Sequence, residues 1–121
     1  MPNAEVSSHA YTPQSAAAGV ESVLRLLEGR WKLLILFHLF GGHVQRFSDL
    51  ERLIPDVSQK MLAQQLRRLE ADGIVERTVY AQVPPKVDYR LTVWGQALCP
   101  ALDSLLKWSD KRDALGAVQV E

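Results

Sequence analysis

The sequence predicts a mainly α fold with a small antiparallel β wing: a winged helix-turn-helix whose flanking terminal helices form a dimer interface. Three observations carry that expectation. Apolar residues recur at helical spacing over most of the 121 residues. A two-faced helix at 57–72 follows another after a short turn. Only beyond Gly73 does the pattern change to β-branched and aromatic residues around a Pro-Pro loop.

The length suits one domain with a real hydrophobic core. The formal net charge is zero, so any attraction to nucleic acid must come from local clustering. A single cysteine, Cys99, excludes an intrachain disulfide framework and a multi-cysteine zinc site, and suits a reducing compartment. No charged start precedes an apolar run, as a signal peptide would require. The longest apolar-rich run, 31–40, is about half of what a bilayer needs. The expectation is a cytoplasmic protein with no membrane partner.

In chain order, residues 1–18 are expected to be a mobile tail, polar and without periodicity up to Gln14. The domain then runs over 19–113, with 114–121 as a second tail. From Val20, apolar residues at Val23, Leu24 and Leu27 mark an amphipathic helix that Gly29 interrupts. Residues 31–40, WKLLILFHLF, are apolar nearly all round, as for a helix buried on most sides at the centre of the core. Gly41-Gly42 stops it. Ser48 can cap the next helix, with Glu51 returning the hydrogen bond. Pro55 limits that helix to about Leu53 or Ile54.

Ser58 can cap the following helix. At about 100° per residue, Leu62, Leu66 and Leu69 gather on one side of it, and Lys60, Ala63, Gln64 and Arg67 on the other. An ammonium, an amide and a guanidinium are groups that hydrogen-bond base edges and phosphates in a major groove. An ordinary solvated face has the same look, but the preceding helix and the following hairpin favour base or phosphate contact by Gln59, Lys60, Gln64 and Arg67. The helix amino end at Ser58 can also meet a phosphate. Met61 lies between the faces and is expected to be partly buried. Arg68 points away from the polar face and is expected to pair with a nearby acid.

Residues 74–80 and 87–91 read as a hairpin, with Pro84-Pro85 in its loop. Lys86 beside them is a wing-tip phosphate contact, preferred to a merely solvated lysine; Arg46 and Tyr80 are weaker candidates. Over 44–92 there are eight Lys/Arg against seven Asp/Glu, so attraction to DNA depends on where the acids sit. Thr92 can cap a last helix over 93–112, which Pro100 is expected to kink. Its Trp94, Leu98, Ala101, Leu105 and Trp108 alternate spacings of four and three, a seam that Leu102 and Leu106 widen. With Val20, Val23, Leu24 and Leu27 that seam suggests a dimer interface; packing against its own domain is the plainer alternative.

Cys99, between a leucine and a proline, reads as small core packing rather than a sensor thiol. His38 and His43 show no paired ligand spacing, so neither metal nor cofactor is expected. With no nucleotide-binding glycine loop, nucleophile elbow or HExxH, no catalytic residue is assigned and no enzyme is expected.

The order of motifs resembles the HxlR-type winged helix-turn-helix transcriptional regulators of bacteria and archaea, relatives of the MarR group. The matching residues are GRWKLLIL from Gly29, RFSDL from Arg46, VSQKML from Val57, LRRLEADGIVER, VPPKVDY from Val83, LT with Gly95, and Trp108. They span 20–110. The resemblance implies a dimeric DNA-binding repressor or activator, with one recognition helix and wing per subunit on a roughly palindromic operator. Many members carry a cysteine about thirteen residues before the tryptophan that corresponds to Trp31; Ala18 stands there, so redox sensing through that position is not available. The partners expected are double-stranded DNA, a second copy of the chain, and an effector that the sequence does not identify. Two alternatives stay open: a winged-helix module that binds protein, which the neutral charge favours, and a thiol switch at Cys99.

Overall fold

A computed structural model describes residues 10–119. The segment 1–9 of the expected tail and residues 120–121 lie outside the described residues. The element order is α1 (Pro13–Leu27), α2 (Lys32–Leu39), β1 (Gln45–Arg46), α3 (Phe47–Leu53), α4 (Gln59–Ala71), β2 (Val75–Tyr80), β3 (Lys86–Leu91) and α5 (Val93–Gln119). The three strands form one antiparallel sheet in the order β1-β3-β2. A helix-turn-helix, α3 and α4, thus precedes a β wing, as the sequence predicts. The short β1 is an addition, since two residues are too few to show a period.

Ile35, Leu36 and Leu39 of α2, Leu50 of α3, and Leu62, Leu66 and Leu69 of α4 are buried together with Val75, Tyr89 and Leu91 of the sheet. Each such side chain stabilises the fold by about 1.5–3 kcal/mol relative to exposure. The α2 helix is nevertheless not buried on most sides: Leu33, Leu34 and Phe37 are exposed. Its apolar composition is continuous, but the rest of the domain covers only one face.

Three boundaries differ from expectation. The α1 helix begins at Pro13, not near Val20, so 13–18 are helix rather than tail. The Thr12 hydroxyl accepts from the Ser15 N–H at 3.0 Å, and the Ser15 hydroxyl accepts from the Thr12 N–H at 3.0 Å. Proline at the first helical position and the alanines after it need no apolar periodicity to favour a helix. At α3, Asp49 rather than Ser48 and Glu51 makes the cap: its Oδ2 accepts from the Arg46 N–H at 2.8 Å. Pairing of β1 with β3 holds Arg46 extended, and an ionised carboxylate is a stronger acceptor than a hydroxyl. At the far end, α5 continues past Arg112 to Gln119, and it passes through Pro100 unbroken.

Candidate nucleic-acid interface

The α4 helix is fixed from inside by Leu62, Leu66 and Leu69, all buried, and at its start by the Ser58 hydroxyl, which accepts from the Met61 N–H at 3.0 Å. The opposite side is free: Ser58, Gln59, Lys60 and Arg67 are exposed, Gln64 is half-buried between them, and Met61 is half-buried at the margin. Arg68 is also exposed, but it forms no ion pair among the described residues, which corrects its expected acidic partner. The nearest acids in sequence, Glu70 and Asp72, do not reach it across the helix end.

Strand register sets the wing. Tyr80 lies opposite Lys86, Thr78 opposite Asp88, and Glu76 opposite Arg90, while Arg46 of β1 faces Asp88 from the other side. Because side chains alternate along a strand, Lys86, Asp88 and Arg90 share one face. Asp88 is 5 % exposed. Its carboxylate lies 3.9 Å from Lys86 Nζ and 3.8 Å from Arg90 Nη2, and Lys86 also sits 4.8 Å from the centre of the Tyr80 ring. Lys86 therefore stands at the base of the loop rather than at its tip. The tip is Gln82, Val83, Pro84 and Pro85, with Val83 98 % exposed. Arg90 belongs to the same basic face and was not among the sequence candidates, although its two-residue spacing from Asp88 signals it.

Arg46 is exposed at the start of α3. Its N–H, more than any other group, holds the Asp49 carboxyl below the usual aspartate range; desolvation opposes it, and the hydrogen bond and charge of Arg52 add to the lowering. Lys60, Arg67 and Arg46 are exposed and form no ion pair among the described residues, whereas Lys86 and Arg90 share Asp88.

The terminal helices form a separate apolar surface. No residue of α1 is buried. Val20, Val23, Leu24, Trp94, Leu105 and Trp108 are exposed, Trp108 at 71 %. Leu27 and Leu98 are half-buried against the core, and Leu102 is inside it, so Leu102 cannot serve as a contact residue as expected. Between Val23, Leu26 and Leu27 of α1 and Trp94, Leu98 and Ala101 of α5 lies an apolar cavity of about 200 Å³. Cys99 is half-buried and packs against the core. No helix among the described residues is long and apolar enough to cross a membrane.

A helix-turn-helix with a polar outer face, joined to a three-stranded wing, defines a transcriptional regulator of the winged-helix class. The chain belongs to the HxlR-like helix-turn-helix family, whose model matches residues 26–114. It is 53% identical over 89 residues to the HTH-type transcriptional regulator YtcD of Bacillus subtilis, covering 74% of this chain and 70% of YtcD. Among solved structures, the redox regulator HypR in its reduced form superposes with a TM-score of 0.72 at 43% identity, covering 82% of this chain and 98% of HypR. The reduced transcriptional regulator YodB from B. subtilis gives 0.70 at 39% identity, covering 84% and 93%.

Proposed function

We propose that the protein regulates transcription as a homodimer on a pseudo-palindromic operator, with α4 in the major groove and the wing on flanking backbone or minor groove. The observation that carries this reading is the division of α4 into a fully buried leucine face and a free face with Lys60 and Arg67. Gln59, Gln64, Lys60 and Arg67 contact bases or phosphates, and the Ser58 helix end meets a phosphate. Arg46, Lys86 and Arg90 contact the backbone beside the groove.

The dimer forms through α1 and the outer part of α5. A helix with no buried side chain gains little from its own domain, and most helical stability in proteins comes from packing. Val20, Val23, Leu24, Trp94, Leu105 and Trp108 supply the contact, while Leu27 and Leu98 anchor these helices to the core. The domain extends over 19–113 in function, with α1 and α5 lengthening it at both ends. The cavity between α1 and α5 suits a small neutral apolar molecule as effector, because no ionisable side chain lines that space.

A thiol switch is the weaker reading. HypR is a redox regulator, and YodB has been solved after diamide treatment. In this chain, Ala18 replaces the family cysteine, and Cys99 packs on the core. Fluorescence anisotropy with DNA flanking the protein's own gene tests the proposal. Saturable binding at low salt, unchanged by diamide, is expected; retention of a protein partner without DNA binding would favour the interaction-module alternative.

A further inference from the structure

Two polar side chains lie inside the domain behind the DNA-facing helix. Lys32, at the start of α2, is 4 % exposed. Its ammonium donates to the Leu26 carbonyl oxygen at 3.1 Å. Leu26 is in the last turn of α1, where carbonyls lack intrahelical donors and the helix dipole is negative. Gln65, on the inner side of α4, is 6 % exposed. Its Nε2 donates to the weak acceptor Met61 Sδ at 3.2 Å, while Oε1 has no hydrogen-bond partner.

Both side chains converge on the α1–α2 turn. A Cβ placed on Gly29 would lie 3.4 Å from Gln65 Oε1 and 3.6 Å from Cδ and Cε of Lys32. Gly29 has φ +128° and Trp31 has φ 86°, so the turn holds a bulky residue in left-handed backbone that its surroundings must enforce. An ammonium carries three donors, and Lys32 uses one, on Leu26; Gln65 Oε1 is not an acceptor for it, and the two side chains approach each other only through the Gly29 turn. Stability alone does not call for this pair, since apolar side chains of similar volume are often at least as stable in such a place.

We propose that Lys32 and Gln65 are positioning residues, a polar joint that couples the end of α1 to α4. Through it the setting of the dimer helix fixes the angle at which Lys60, Gln64 and Arg67 are presented. The inference rests on the DNA-binding reading for its functional half only; the coupling itself is a property of the free protein. A shift of α1, whether from dimer rearrangement or from a molecule in the α1–α5 cavity, then reaches the DNA face through two side chains.

The experiment compares Lys32→Met, Gln65→Leu and the double variant. Amide hydrogen exchange of the DNA-free protein is the first readout, and operator affinity the second. Each apolar single variant is expected to speed exchange about tenfold in both the last turn of α1 and α4. Each should also weaken operator binding about tenfold. The double variant should do no more than the larger single, and neither the melting temperature nor the salt slope should fall. Exchange changes confined to the substituted helix, or effects that simply add, would overturn the joint. Coupled exchange in a protein that binds no DNA would support the joint and overturn the DNA reading alone.

Discussion

The Thr92 hydroxyl donates to the Gly73 carbonyl oxygen at 2.7 Å and accepts from the Gly95 N–H at 3.0 Å. One side chain therefore caps α5 and ties it to the turn that ends α4. Thr92→Val keeps the shape and removes both bonds. It is expected to lower stability by about 1–2 kcal/mol, read as a lower denaturant midpoint at unchanged slope.

Gly95 allows the same close approach. A Cβ there would stand 2.3 Å from the Ile74 carbonyl oxygen, which is backbone and cannot swing aside. Gly95→Ala should cost more than the usual overpacking range of about 1–3 kcal/mol. Thermal unfolding of the variant checks this, and a melting temperature equal to that of the parent would contradict the packing of α5 on the wing.

Asp49 gives a pH signature. Its folded pKa is lowered, first by the Arg46 N–H and then by Arg52, so its stabilisation is present above the unfolded value and is lost as pH falls through the folded one. Asp49→Asn keeps an acceptor but not the charge. The parent should be the more stable of the two at neutral pH, and the difference should shrink steadily as pH falls below about 4. Denaturant titrations across that range measure it.

Trp108→Glu places a charge on the apolar seam at a site that the domain's own core does not use. It is expected to weaken self-association at least about 100-fold, seen by sedimentation as a shift from dimer to monomer. Unfolding of the parent should also depend on protein concentration. An unchanged dimer would move the interface away from α5.

The helix-turn-helix was legible because its information is local and repeated: Leu62, Leu66 and Leu69 recur at helical spacing, and Ser58 marks the start. The α1 boundary was missed because Thr12, Ser15 and the alanines carry capping and propensity without apolar period. At α3, choosing between Ser48 and Asp49 depended on β1 pairing with β3, a contact between residues far apart in sequence. The outward Leu33, Leu34 and Phe37 could not be told from Ile35 and Leu36 by composition, since only the packed partners decide which face of an apolar helix is covered. Gln65 was not singled out in the sequence, since its burial depends on the approach of the Gly29 turn.

DNA binding by the free face of α4 is tested most directly by operator affinity against salt for the parent and the Lys60→Ala, Arg67→Ala double variant. The parent should lose affinity steeply, with a slope of about −0.9 per phosphate contact. The double variant should bind at least about tenfold more weakly, with a shallower slope at an unchanged melting temperature. Equal affinity and equal slope for the two proteins would contradict the assignment of α4 as the recognition helix.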